Sequence, residues 1–199
     1  MRPIEQKRLL VIGCGRSGTK WFSELLKDHG LDIGHEHMGN DGVVGWQWVA
    51  PCRWANHGWR LDYRFSHVWH LVRHPLQAIA SMTTHQGRTL TWMEGVLGIG
   101  TAGEKLVRCA RLWVLWNRLC AQQARRTLQI EGIARCDFAN YGAICNALSL
   151  CPKTELGGYD RNVRPHRKLT WSQLANEAPD WWPHVQADAE HYGYGESEQ

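Results

Sequence analysis

Residues 8–26 read RLLVIGCGRSGTKWFSELL, and this stretch decides the fold class. Its first five residues, RLLVI (8–12), form a short apolar run that ends at a glycine, which is typical of a buried strand. GCGRSGT (13–19) is a glycine-rich turn, and the residues after it, from Lys20 to His29, place their apolar side chains on one helical face. The order of strand, glycine loop and helix predicts an α/β unit.

A second stretch of the chain repeats this pattern. HVWHLV (67–72) predicts another apolar strand, and Pro75 stands where a helix begins, since its fixed φ suits a first helical turn. Ligands of parallel α/β folds bind beyond the carboxyl ends of the strands, where both the glycine loop and Arg73 fall. We therefore expect one three-layer, P-loop-like α/β domain over residues 1–199, with a central parallel sheet flanked by helices and a frayed tail at 193–199.

The rest of the chain gives weaker patterns. We expect a short strand near 31–34 and a long helix over 104–128, followed by a strand over 133–138 and a helix over 139–150. Residues 87–103 contain five glycines and are predicted to form a mobile loop, which could act as a lid.

Composition limits the classes of protein that fit. The net charge of +4 favours anionic small molecules and is too small to indicate nucleic acid. No apolar run is long enough to span a membrane, and the short apolar stretch before Gly13 has too few residues for a signal peptide. The seven cysteines include no CxxC pair, which argues against a disulfide framework or a zinc knuckle and favours a reducing, cytoplasmic location. We expect no metal site.

The glycine loop permits three interpretations. A Walker A loop needs Lys-Thr after Gly18, but the chain has Thr19-Lys20, so an NTP-hydrolysing site is disfavoured. A Rossmann dinucleotide loop matches Gly13-x-Gly15-x-x-Gly18, with Asp32 or Glu36 as the acidic residue for the ribose.

The third interpretation is a phosphate cradle that needs no metal. The N–H groups of the loop and of the helix N-terminus attract an anion. Arg16 adds a positive charge, and the hydroxyls of Ser17 and Thr19 add hydrogen-bond donors. Such a site suits a 5′-phosphosulfate and the charge that develops on its leaving phosphate.

Two motifs in this chain resemble those of sulfotransferases, whose donor is 3′-phosphoadenosine-5′-phosphosulfate (PAPS). GCGRSGTKW (13–21) is similar to the family's 5′-phosphosulfate loop, which implies binding by Gly15, Arg16, Ser17, Gly18, Thr19 and Lys20. VWHLVRHPLQAIAS (68–81) is similar to the family's second motif, a strand ending in an arginine with a serine eight residues later. The resemblance implies that Arg73 and Ser81 bind the 3′-phosphate.

A late basic segment extends the resemblance to small bacterial sulfotransferases. NVRPHRKLTW (162–171) is similar to the loop that closes over the 3′-phosphate, with Arg164 and Arg167 as candidates. A solvated basic turn is an equally good interpretation of this segment. Lys20 likewise either assists the leaving group or is a solvated lysine of the first helical turn.

The resemblance also implies a general base. In the carboxylate-using branch a glutamate follows the cation of the loop by about twenty residues, which is the spacing from Arg16 to Glu36. The histidine-using branch places its base before the second strand, where His57 stands. We expect Glu36 to take the proton from the acceptor, with His57 as the alternative, and Arg16 to stabilise the reacting charge.

The sequence defines the acceptor less closely than the donor. The family shapes its acceptor pocket with the region that here contains Trp46, Trp48, Trp54 and Trp59, and we expect at least one of them to line that pocket. A small-molecule or glycan acceptor with an aromatic or sugar face fits such walls. Two other hypotheses stay open: a Rossmann-type dinucleotide-binding protein, and a relative that binds nucleotide but has lost the acceptor pocket.

Overall fold

The computed structural model describes residues 4–50, 62–157 and 165–195, which form a parallel sheet flanked by helices. The five strands lie in the order β2-β3-β1-β4-β5, and every neighbouring pair is parallel. Their bounds are β1 Glu5–Gly13, β2 Ile33–His35, β3 Gly42–Val44, β4 Tyr63–Val72 and β5 Arg126–Gln129. The predicted α/β class with a central parallel sheet is confirmed.

Helices follow the strands and pack on both faces of the sheet. Within the described ranges no helix is both long enough and apolar enough to cross a membrane. A 3₁₀ turn (Trp46–Val49) follows β3, and a π-helical turn (Phe138–Gly142) precedes α6. The α-helices are α1 Thr19–Asp28, α2 Pro75–Met82, α3 Gly87–Leu97, α4 Lys105–Gln123, α5 Ile130–Ala134, α6 Ala143–Ala147, α7 Trp171–Glu177 and α8 Trp182–His191.

The alternation of side chains along β1 divides the apolar interior into two cores. Leu9 and Val11 pack with α1, α5 and α6 on one face of the sheet. Leu10 and Ile12 pack with α2, α3, α4, α7 and α8 on the other face. Because β1 is buried on both sides, its sequence is a continuous apolar run, as expected for the centre of a parallel sheet.

The prediction of a mobile loop over 87–103 is wrong for its first eleven residues, which form α3. The carboxylate of Glu94 is fully buried and accepts hydrogen bonds from Arg108 and Arg111 of α4 at 2.7–2.8 Å. Leu90 and Met93 are also fully buried. Packing and ion pairs across two helices therefore override the glycine content that favoured a loop.

Two predicted boundaries in the second half of the chain are also wrong. Helix α4 ends at Gln123, because the next residues join the sheet: the N–H of Arg125 donates to the carbonyl of Val68 and β5 pairs with β4. The strand predicted over 133–138 lies earlier, at Arg126–Gln129, and residues 130–134 form a helical turn instead. Short apolar runs do not distinguish a strand from a buried helical turn.

The end of the described chain packs against the sheet. Tyr194, which lies in the segment expected to fray, is 2% exposed. Its hydroxyl donates to a carboxylate oxygen of Glu131 at 2.7 Å, and the side chain of Gln129 donates to the carbonyl of Tyr192. The chain is therefore held in place at least as far as Tyr194.

Candidate functional site

A cleft of about 400 Å³ lies at the carboxyl edge of the sheet, beyond the ends of β1, β2 and β4. The loop between β1 and α1 forms one wall, and the segment from Arg73 to His85, which contains α2, forms another. The lining residues are Arg16, Gly18, Thr19, Lys20, Trp21, His35, Glu36, Trp46, Arg73, Gln77, Ser81, His85, Ile130, Glu131, Ala134 and His166.

Close packing shapes the loop between β1 and α1. A side chain at Gly13 would lie 2.5 Å from the carbonyl oxygen of Leu71 and 2.6 Å from the hydroxyl of Ser17, so only glycine fits there. Gly18 has a φ of +88°, and a side chain there would press on Ile130 at 3.0 Å. Helix α1 begins immediately after it, at Thr19, so the positive end of the helix dipole lies at the cleft.

The two buried polar groups of this loop serve its structure. The hydroxyl of Ser17 donates to the carbonyl of Cys14 at 2.7 Å, and Ser17 is 1% exposed. Burial raises the pKa of the Cys14 thiol far above its ordinary value, and Cys14 is 1% exposed. Cys14 is thus a core residue and has none of the properties of a nucleophile.

Arg16 connects the two predicted phosphate-binding motifs. Its guanidinium Nε donates to the Ser81 hydroxyl at 2.8 Å, and its carbonyl accepts from Nη1 of Arg73 at 3.2 Å. Arg16 also has a φ of +69°, a conformation that non-glycine residues adopt at a cost of about 1 kcal/mol or more. Side chains that follow β1 and β4 therefore meet at one point, as the sequence predicts for neighbouring parallel strands.

Arg73 lies half-buried beside an acidic group. Its Nη2 donates to Gln77 of α2 at 3.0 Å. Burial lowers the pKa of the guanidinium from its ordinary value, and the nearby Glu131 carboxylate and Tyr194 oppose that shift. Arginine stays charged through such a shift, so Arg73 brings a permanent positive charge to the cleft.

Glu131 is a cleft residue that the sequence analysis missed. One of its carboxylate oxygens accepts from the backbone N–H of His74 at 3.0 Å, and the other accepts from the hydroxyl of Tyr194. The local sequence could have pointed to Glu131 only as a carboxylate in the first turn of a helix that directly follows a strand. The structure shows that it faces the turn after β4, which contains Arg73.

Thr19, His35 and Glu36 form a second polar group in the cleft. The Nε2 of His35 lies 3.3 Å from the Thr19 hydroxyl and 4.0 Å from Oε1 of Glu36. Burial lowers the pKa of His35, although the Glu36 carboxylate opposes that shift. His35 is therefore mainly neutral at pH 7, when its imidazole either donates to or accepts from the groups around it.

Glu36 lies just beyond the short strand that the sequence predicts near residues 31–34. β2 ends at His35, and Glu36 has a φ of +61° in the turn that follows. Its side chain is 39% exposed and accepts a hydrogen bond from the indole N–H of Trp46 at 2.9 Å. Of the four tryptophans in the acceptor prediction, Trp46 lines the cleft and Trp48 is buried in the core. The other two, Trp54 and Trp59, lie outside the described residues.

Other predicted site residues lie away from the cleft or outside the described ranges. Gly15 is buried in the loop and does not line the cleft. Arg167 is exposed and makes a paired contact with Glu177 of α7, whereas its neighbour His166 lines the cleft. His57 and Arg164 fall outside the described residues.

No protein-family model matches the chain, and none of the curated proteins matches it either. Within residues 4–50, 62–157 and 165–195, no group of three or more His, Cys, Asp or Glu side chains is arranged to hold a metal ion. The cleft has arginines beyond the ends of β1 and β4, the carboxylate of Glu131 beside Arg73, and the carboxylate of Glu36 beyond β2. Its function is argued from this chemistry.

Proposed function

We propose that the protein is a PAPS-dependent sulfotransferase with a P-loop-like fold. The observation that carries this proposal is the contact between the two motifs: Arg16 donates to Ser81, and Arg73 donates to the carbonyl of Arg16. Both motifs were identified by a resemblance in sequence alone, at positions 57 and 65 residues apart. Their meeting at one cleft is what a donor with two separate phosphate groups requires.

The residues of the cleft fit such a donor. Arg16, Lys20 and Thr19 lie at the N-terminus of α1, where a 5′-phosphosulfate would meet a positive charge, an ammonium group and a hydroxyl. Arg73 and Ser81 would bind the 3′-phosphate. Ser17 contributes by holding the loop in shape, since its hydroxyl already donates to Cys14.

The proposed reaction transfers a sulfuryl group to an acceptor hydroxyl. The bond from sulfur to the phosphate oxygen breaks as a bond from sulfur to the acceptor oxygen forms, and 3′,5′-ADP (PAP) leaves with the bonding electron pair. The acceptor proton passes to the Glu36 carboxylate. Lys20 and the N-terminus of α1 stabilise the charge that develops on the leaving phosphate. Positioning and electrostatics supply most of the acceleration, as in phosphoryl transfer.

The order of the strands favours this proposal over a Rossmann-type dinucleotide site. In the usual Rossmann order β2 lies beside β1 and presents an acidic residue to the ribose. Here β3 lies between β1 and β2. Of the two acidic candidates, Glu36 lines the cleft beyond β2, whereas Asp32 accepts from the backbone and side chain of Asn40 at 3.1 and 2.6 Å. Asp32 is exposed and does not line the cleft.

Isothermal titration calorimetry tests the donor site directly. We expect PAP to bind in the presence of EDTA, 5′-AMP to bind at least tenfold more weakly because it lacks the 3′-phosphate, and NAD⁺ to bind more weakly still. Binding of NAD⁺ with no response to PAP would overturn the proposal and favour the dinucleotide hypothesis. Equal affinities for PAP and AMP would remove the roles of Arg73 and Ser81.

Release of PAP from PAPS tests the activity itself. The assay is run with a phenol and with a monosaccharide as alternative acceptors, which separates an aromatic from a sugar acceptor. The protein could instead bind PAP but release none from PAPS with the phenol, the monosaccharide or a longer glycan as acceptor. That result would contradict the enzymatic role and favour a relative that only binds the nucleotide.

A further inference from the structure

We infer that the turn Trp46–Val49 is a clamp that positions Glu36, with Trp46 and Trp48 as its two positioning residues. This inference rests on the proposed function in one respect, that Glu36 is the base. The sequence predicts only that at least one of these tryptophans lines the acceptor pocket. Their contacts assign them to the carboxylate instead.

Two indole N–H groups bind the same residue at different atoms. Nε1 of Trp46 donates to carboxylate Oε1 of Glu36 at 2.9 Å, and Nε1 of Trp48 approaches the Glu36 carbonyl at 3.4 Å. The backbone N–H of Glu36 donates to the carbonyl of Val44 at 2.9 Å. The side chain and both backbone polar groups of Glu36 are thus held by β3 and the turn that follows it.

The backbone of Glu36 shows why such a clamp is needed. Its φ of +61° costs a non-glycine residue about 1 kcal/mol or more, so surrounding contacts must maintain it. Gly45 packs closely against it, since a side chain at Gly45 would lie 3.3 Å from the Glu36 Cα. This conformation directs the chain back toward β3 and brings the carboxylate to Trp46.

Trp46 is in turn fixed by tryptophans of α3 and α4. Its ring meets Trp92 edge to face at a centroid distance of 5.2 Å and lies 5.8 Å from the ring of Trp116. The indole of Trp116 donates to the carbonyl of Gly13 at 3.1 Å. An aromatic cluster of Trp46, Trp92 and Trp116 therefore connects the carboxylate to the start of the glycine loop.

The clamp also distinguishes the two carboxylate oxygens. Both Trp46 and His35 approach Oε1, at 2.9 and 4.0 Å. We therefore assign proton acceptance to Oε2. A carboxylate held through one oxygen presents the other in a fixed direction, which is what positioning contributes to a proton transfer.

Trp46→Phe keeps an aromatic ring in the cluster and removes the N–H donor. We expect kcat to fall about tenfold or more, the range for a lost hydrogen bond to a charged group, with the affinity for PAP unchanged. Trp182→Phe is the matched control, because Trp182 of α8 contacts the ring of Trp171, belongs to neither the clamp nor the aromatic cluster, and does not line the cleft. Its kcat should stay within about twofold of wild type. Equal kcat in wild type and Trp46→Phe would overturn the positioning role.

A spectroscopic measurement tests the contact without any turnover. The indole N–H cross-peak that disappears from a ¹H–¹⁵N spectrum in Trp46→Phe belongs to Trp46. We expect that cross-peak to move in Glu36→Ala and to stay in place in Glu24→Gln, a substitution on α1. No movement in Glu36→Ala would overturn the clamp. Failure of PAP to bind would contradict the proposed donor site, while this cross-peak would still decide whether Trp46 holds Glu36.

Discussion

The two halves of the cleft are built in different ways. The donor half, comprising Arg16, Arg73 and Ser81, stands at the ends of β1 and β4, which are neighbours in the centre of the sheet. The carboxylate half, comprising His35, Glu36 and Trp46, lies beyond β2 at the edge of the sheet. The donor half is joined by direct hydrogen bonds from Arg16 to Ser81 of α2 and from Arg73 to the Arg16 carbonyl, whereas the carboxylate half depends on indoles supplied by a separate turn.

This difference shows how much support each type of site needs. The strands β1 and β4 pair over eight residue positions, from Glu5 and Tyr63 to Gly13 and Leu71, so the loops that follow them share a rigid base. β2 pairs with β3 over only three positions. A side chain after so short an edge strand needs tertiary contacts to hold it, and the tryptophan clamp provides them.

The largest expected effect separates catalysis from donor binding. Glu36→Gln keeps the shape of the side chain and removes its ability to accept a proton, so kcat should fall by about 10²–10⁴-fold. PAP affinity, measured by calorimetry, should not change because Glu36 belongs to the carboxylate half. Glu24→Gln on α1 is the control and should keep full activity. Undiminished turnover in Glu36→Gln would move the base to His35 or His57.

We expect acid to lower the stability of the folded protein through His70, which lies on the strand that supports the donor half. His70 of β4 is fully buried, with Nε2 3.0 Å from the Asn117 side chain, and burial lowers its pKa to about 4 from an ordinary 6.5. The unfolded chain therefore binds a proton that the folded chain does not. The free energy of unfolding is therefore unaffected by His70 above about pH 6.5, and it falls by about 3 kcal/mol as the pH drops to 4.

Urea unfolding at a series of pH values measures this effect. His70→Asn should show a shallower loss of stability than wild type between pH 6.5 and 4. His67→Asn, on the same strand but half-buried, is the control and should follow wild type. Parallel curves for wild type and His70→Asn would show that other groups cause the acid sensitivity.

Removing the strand-end arginine should affect only the donor half. Arg73→Ala removes a charged hydrogen bond to the 3′-phosphate, so PAP affinity should fall by about 1.5–3 kcal/mol. The affinity for 5′-AMP should change much less, because AMP has no 3′-phosphate. Arg64→Ala is a matched control, since Arg64 is exposed at the opposite end of the same strand. A similar loss in both variants would indicate general electrostatics rather than a site.

The smallest expected effect concerns the contact between the two motifs. Ser81→Ala removes the acceptor of the Arg16 hydrogen bond and one neutral donor to the 3′-phosphate. PAP affinity should fall about fivefold, the size of one ordinary hydrogen bond. If instead the loss equals that of Arg73→Ala, Ser81 acts mainly by holding Arg16, and the donor half is more strongly coupled than its hydrogen bonds indicate.

Local patterns predicted the centre of the molecule well. The apolar run of β1, the glycine turn, the face of α1 and the proline that opens α2 are each specified by neighbouring residues, and all are present. The meeting of Arg16 with Ser81 and Arg73 was also foreseeable, because parallel strands end at one edge of a sheet. The wrong predictions concern segments whose structure depends on residues far away in the sequence. The glycine-rich segment after residue 87 forms a helix because Glu94 pairs with Arg108 and Arg111 of α4.

The sequence alone therefore determined the fold class, the two motif loops and the position of a carboxylate twenty residues after Arg16. Only the tertiary structure decided that Glu36 adopts a positive φ, that Trp46 holds it, and that Glu131 joins the cleft through Tyr194. The physical reason is the range of the interactions. Periodicity and turn chemistry act over a few residues, whereas the contact between Glu131 and Tyr194 spans 63 positions and exists only once the sheet has formed.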